Sequence, residues 1–451
     1  MWLLLVSAFP EFLRSNLVLA HPGDRASRGF HLDAIDVGPA LAATLVFGAI
    51  GLGFYFFLNR KSRRNQWLVA PDEQAVLNRA YSLMWAAFYF TLVAFTVGLT
   101  WDSSFHTRQP FEDFYSAPHL FIYTMTGVSI LLAILLASRA SKWRWFGPVL
   151  PFPGIPGSLL IMVGGAGTIL LSGFFDLIWH SNFGLDETSL SLPHSMLGWG
   201  LLITILGALS SILALRSYRP PTTLVIAVLG ALIIAASAAP VMGPYYQNET
   251  PAKVKRISEI PVLKESPEAQ HTFRIYLERN ISRTNPVFIL LAALWVGVVL
   301  AFLRRLIPRA RLLFGIVALL DFLMLLGGRG AARAFGLLDD PASWLPLPLF
   351  PALLIIIALP RLGVPERWSW GIAGLVNGLV IATIWTRSPA GLVFVILGVP
   401  VMLLGVVIGR RLYGVIEQPT QRGVWTFLIA GGIGVPLFRG IVDLIFRATV
   451  A

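Results

Sequence analysis

Two short stretches of this chain carry side chains suited to holding a metal ion. The first is Trp101-Asp102-Ser103-Ser104-Phe105-His106, followed after twelve residues by His119, with Pro118 just before it. The second is Phe175-Asp176-Leu177-Ile178-Trp179-His180, followed after thirteen residues by His194, with Pro193 just before it. The shared template is Asp-x3-His, a loop, then Pro-His. Each copy offers two imidazoles and a carboxylate, the donor set of a divalent metal site with open positions, and this set suits iron(II), zinc or copper alike. The chain has no cysteine, so thiolate sites, disulfides and thiol nucleophiles are excluded. A lone histidine of this kind reads as an interfacial polar group at a helix end. Two copies at nearly matched spacing read better as a built site.

The spacing also says what must position these groups. An Asp and a His four residues apart share one face of a helix. A proline in the first turn of the returning helix then carries the next histidine back to the same depth. Each copy is therefore a helical hairpin.

Composition says where the hairpins sit. Of 451 residues, 56% are hydrophobic and only 13% charged. Soluble domains carry about 25% charged residues, so a soluble multidomain enzyme is excluded. Apolar runs long enough to cross a bilayer recur at about 38–58, 81–101, 118–138, 156–176, 194–215, 222–241, 287–307, 311–328, 344–360, 368–386, 389–409 and 425–446. None alternates with the period of two that barrel strands need. The expected fold class is all-α, a polytopic membrane bundle of about twelve transmembrane helices, each satisfying its own backbone hydrogen bonds in lipid.

The net charge is +12, from 35 Lys and Arg against 23 Asp and Glu. The basic residues gather in alternate loops, such as Arg60-Lys61-Ser62-Arg63-Arg64 and the Arg304–Arg311 stretch. They form no patch interleaved with exposed aromatics, so nucleic acid is not an expected partner. Basic loops mark the cytoplasmic side. That orientation puts both motifs, and all seven histidines, on the outer face of a cytoplasmic membrane.

At these residues the chain resembles the C subunit of the copper membrane monooxygenases, the particulate methane and ammonia monooxygenases. The resemblance covers about residues 81–215. It implies copper as the cofactor, with zinc and iron as alternatives. It makes Asp102, His106 and His119 the ligands of one site, and Asp176, His180 and His194 those of a second. The family's first ligand at the second site is typically Asn, so Asp176 departs from the pattern by adding a negative charge. The resemblance further implies a small apolar or amine substrate oxidised with O2, and monooxygenase-type partner subunits or further copies of the chain. Two other functions use the same residues: a metal-handling protein that transports or delivers copper or zinc, and an accessory subunit with structural metal sites.

Around the motifs the chain divides into four parts. Residues 1–37 form a signal-like or interfacial segment, and 38–241 a six-helix metal-binding membrane domain. Residues 242–286 make an outer linker or cap, and 287–451 a second six-helix domain without recognisable chemistry. In that last part Asp321 and Asp443 are ionisable groups inside expected spans, which makes them functional candidates. Asp443 has Arg439 and Arg447 four residues away on either side, the arrangement of an intrahelical ion pair. Asn377 reads as a hydrogen-bond link between helices, and Gly164, Gly165 and Gly167 as a close-packing stripe.

Overall fold

The computed structural model describes residues 37–62, 68–98, 101–102, 116–140, 144–183, 192–218, 220–246, 287–334, 349–383, 391–432 and 434. Among these residues all regular structure is helical, apart from one isolated bridge between Val149 and Pro156. In chain order the helices are α1 (Val37–Ser62), α2 (Pro71–Val93), α3 (Ala117–Ala140), α4 (Gly157–Phe183), α5 (Leu192–Ala214), α6 (Thr223–Tyr246), α7 (Val287–Leu306), α8 (Ala310–Ala334), α9 (Leu349–Arg361), α10 (Glu366–Ile381) and α11 (Gly391–Glu417). A further helix, α12, covers 421–432.

The all-α expectation holds. By length and composition, seven helices among the described residues are able to cross a membrane: α1 to α5, α7 and α11. In α6 the stretch Thr223–Ala238 is apolar but shorter, as is α9. The 13 residues of α9 rise about 20 Å, against a hydrocarbon core of about 30 Å. The count of twelve spans is therefore not reached among the described residues. Residues 1–36 and 247–286 lie outside them, as does most of the expected last span, with Arg439 and Asp443.

Helix α5 is the central post. It is apolar on every side, from Met196 through Leu215, and most of it is buried, as a helix without a polar face must be. Around it pack α2, α4, α6 and α11. Its closest neighbour is α4. A Cβ on Gly165 would strike the Thr204 nitrogen and the Gly200 carbonyl, and one on Gly207 would strike the Met162 backbone nitrogen. In lipid the apolar surface gains little by leaving one hydrocarbon for another, so helices associate through such close backbone approach. A second seam joins α7 to α11, where Gly405 abuts the Leu294 carbonyl and Gly409 the Val298 carbonyl. Of the stripe expected in α4, Gly164 faces Leu428 of α12 and Gly165 faces α5. Gly167 faces open space.

The two expected six-helix halves share one apolar core, which runs continuously from Leu77 to Val424. Polar links cross between them. Ser210 donates its hydroxyl to the Ile416 carbonyl at 2.6 Å, and Trp295 donates Nε1–H to Ser237 Oγ at 2.9 Å. Arg216 pairs with Glu417 at 2.9 Å. Asn377 departs from expectation. It is fully buried in α10, yet neither its amide oxygen nor its nitrogen has a hydrogen-bond partner among the described residues. The seam beside it is apolar, with Gly374 against Met402 and Gly378 against Val395.

The α4–α5 contact yields a paired prediction. Gly207→Ala drives a methyl group into the Met162 backbone, and overpacking of this kind costs about 1–3 kcal/mol. Gly167→Ala meets nothing within 4 Å and gains helix propensity. Thermal unfolding in lipid discs should give a lower midpoint for the first variant and an unchanged or higher one for the second. Equal midpoints would mean that the two helices do not touch at Gly207.

Candidate metal centre

The first motif is positioned by α2 and α3. Two hydroxyls lock these helices together: Thr91 Oγ1 and Ser129 Oγ lie 2.7 Å apart, and Ser129 donates to the Ala87 carbonyl at 2.6 Å. Helix α2 then widens into a π-helical turn, Ala94–Gly98, a local insertion often found beside functional sites. Gly98 closes that turn hard against Ile122 of α3, where a Cβ would overlap the Ile122 side chain. Asp102 follows within a few residues and is 2% exposed. Helix α3 begins Ala117-Pro118-His119, with its first backbone bond from the Leu120 nitrogen to the Ser116 carbonyl at 3.0 Å. The proline takes the first-turn place expected for it, and His119 is 4% exposed.

The second motif is positioned by α4 and α5. Asp176 lies two turns before the end of α4 and is 6% exposed. Helix α5 opens with Leu192-Pro193, repeating the proline placement.

These elements bring together three groups from the two motifs. His119 Nε2 lies 3.1 Å from Asp102 Oδ1 and 3.8 Å from Asp176 Oδ2. The sequence reading assigned each copy its own site, whereas the described carboxylates of both copies meet at one imidazole. They meet because α3 packs on both α2 and α4, which spacing along the chain does not reveal. His106 lies outside the described residues. His180 belongs to α4 and His194 to α5, but their side chains are outside the description.

A small cavity of about 20 Å³ opens between Asp102, His119 and Asp176, enough for one water molecule or one ion. Tyr123, Ser172 and Pro193 also line it. The Tyr123 ring is 5.9 Å from that of His119. It fits there because Gly173 has no side chain, as a Cβ would come within 2.5 Å of the ring. Sequence reasoning missed Tyr123 and Ser172. A signal existed: Tyr123 is one turn after His119 and Ser172 one turn before Asp176, on the same helix faces.

Carboxylate and imidazole are donors that a divalent ion takes. Bonds of about 2.1 Å put neighbouring ligand atoms about 3.0 Å apart at right angles and about 3.4 Å apart in a tetrahedron. The Asp102–His119 separation falls in that range, and Asp176 stands just beyond it. Among the described residues, no three such side chains close on a single point. The described part of the cluster nonetheless sets two buried carboxylates beside one imidazole. The first turns of α3 and α5 lie at the same place, and their positive dipole ends favour the carboxylates. Arg139, in the last turn of α3, is about 30 Å from His119 along the helix. The cluster therefore sits at the end of the bundle away from Arg139.

Comparison with known protein families, with curated proteins and with solved structures gives no match for this chain.

Because the chain has no cysteine, the meeting of the motifs can be tested directly. The double variant Asp102→Cys/Asp176→Cys should be bridged within one chain by mercuric ion or a short bis-alkylating reagent, seen as faster gel migration. Neither single variant should respond. Single variants that label normally, with a double variant that never cross-links, would separate the two motifs.

Proposed function

We propose that this chain is a metal-binding membrane protein whose two Asp/His motifs build one shared centre at the outer ends of α2 to α5. The carrying observation is the convergence of Asp102, His119 and Asp176, buried and within 3.1 and 3.8 Å of one imidazole nitrogen. His106, His180 and His194 are the further ligands in this reading. Copper is the proposed metal, on the spacing shared with the monooxygenase C subunit, and zinc and iron are the alternatives. The chain sits in the cytoplasmic membrane with about twelve spans, its basic loops inside and the centre facing the periplasm or exterior. In the leading form of the proposal it oxidises a small apolar or amine substrate with O2, together with monooxygenase-type partner subunits. A bound copper ion would supply the electron exchange with O2. The chain's own groups hold that ion, and the apolar walls of Ile122 and Leu197 exclude bulk water from it. Asp176 adds negative charge, which favours a divalent over a monovalent ion.

One observation favours a second reading. Among the described residues the cavity has room for an ion or a water and none for an organic molecule. A metal-holding role, in delivery or as a structural site in an accessory subunit, needs no more space than that.

Metal analysis of the full chain, purified without a histidine tag and kept in lipid discs, tests both. The proposal expects stoichiometric copper with nitrogen hyperfine structure in its EPR spectrum. Either His119→Ala or Asp176→Asn should perturb the same signal, since both side chains belong to one cluster. Added azide should shift that signal if a ligand position is exchangeable, as oxidation chemistry requires, and leave it alone if the site is structural. No bound metal after loading with copper, zinc and iron would sink both readings.

A further inference from the structure

At the opposite end of the bundle three helix ends enclose a second cavity. Helix α7 finishes in Arg304-Arg305-Leu306, Pro308 turns the chain into α8, and α9 finishes in Pro360-Arg361. The space between them is about 280 Å³, near the lower bound for small-molecule pockets. Its walls are apolar, with Ile307, Leu313 and Ile356 buried behind it, and Arg304 and Arg361 also line it.

Among the described residues the charge there is unbalanced. Glu366 accepts from Arg304 at 3.2 Å, from Arg410 at 2.9 Å and from Trp370 Nε1 at 3.1 Å. The Trp370 hydrogen bond, then the two guanidinium groups, hold this carboxyl below the usual carboxylate range against the opposing effect of burial. One carboxylate thus serves two arginines. Arg361 is exposed, with no carboxylate at ion-pair distance among the described residues. Arg305, Arg309 and Arg311 stand on the same α7–α8 turn.

We propose that this cavity binds the headgroup of an anionic phospholipid, with Arg304 and Arg361 on the phosphate and the acyl chain against the apolar wall. Two features favour a lipid over a soluble anion. The walls that meet the arginines are hydrocarbon, and large apolar side chains, Leu354 and Leu362, are exposed on the adjoining face of α9 and the turn after it. A dissolved phosphate would gain nothing from either. Basic pockets between helices on the basic-loop side recognise anionic headgroups in this way, each arginine contributing about 5-fold in affinity. The site shares no lining residue with the candidate metal centre.

Native mass spectrometry of the full chain, released from detergent after titration with defined lipids, tests the proposal. Phosphatidylglycerol should be retained in preference to phosphatidylcholine. Arg361→Gln should reduce that retention about 5-fold, and Arg304→Gln/Arg361→Gln further. Arg216→Gln, in a different ion pair, should leave it unchanged. Thermal midpoints of the variants, measured without added lipid, establish that they are folded. Millimolar inorganic phosphate should not displace the lipid. Equal retention of the two lipids, undiminished retention by the folded double variant, or displacement by phosphate alone would each overturn it, the last in favour of a soluble-anion site.

Discussion

The seat of α4 on α5 is the contact on which the rest of the structure depends. In a bilayer the apolar surface of a helix is as well solvated by lipid as by another helix, so association rests on how closely two backbones approach. Here Gly165 lies on Gly200, and Gly207 on Met162, which makes the helices antiparallel and sets their register. From that contact α4 climbs eleven residues to Asp176 and α5 begins seven residues earlier at Pro193. These are rises of about 16 and 10 Å. Both residues line the cavity of the candidate centre. A slip of one helical turn, about 5.4 Å, would part them.

The bundle's electrostatics follow from helix direction. Each helix presents unpaired N–H groups at its start and unpaired carbonyls at its end, with partial charges to match. The carboxylates of the candidate centre gather where α3 and α5 begin. Arg139, Arg304 with Arg305, and Arg361 stand in the last turns of α3, α7 and α9. Glu366 follows the same logic at the start of α10, held by Arg304 from the last turn of α7 and by Arg410 from within α11.

The helix-end placement of the described candidate residues was legible in the sequence, because local spacing is what sequence reports. Asp102, His119 and Asp176 are buried at helix ends, and Pro118 and Pro193 open the returning helices as their spacing implied. The sharing of one cavity was not legible. It depends on which helix faces which, set by Gly98, Gly165 and Gly173 contacts between elements remote in sequence. Tyr123 and Ser172 carried only a weak signal, a one-turn spacing from His119 and Asp176, which gains meaning once the facing helices are known. The helical class was plain from hydropathy. The number of crossings rests on more than hydropathy: among the described residues seven helices are long and apolar enough to cross a membrane, while several of the expected spans lie partly outside those residues.

The described contacts of the C-terminal half give it a physical task at one end of the first half. Pro419 packs on Gly157, Leu428 on Gly164, and Phe152 stacks on Trp425 at 5.9 Å. Ser210 reaches the Ile416 carbonyl. All of these grip α4 near its start and α5 near its end, at the pole away from Asp176. Among the described residues, the walls of the candidate centre, by contrast, come from residues 102 to 197. A helix pair braced at one end and joined by backbone contact along its length transmits that bracing to its other end. The second half thus contacts α4 and α5 at one end, while the two motifs occupy the other.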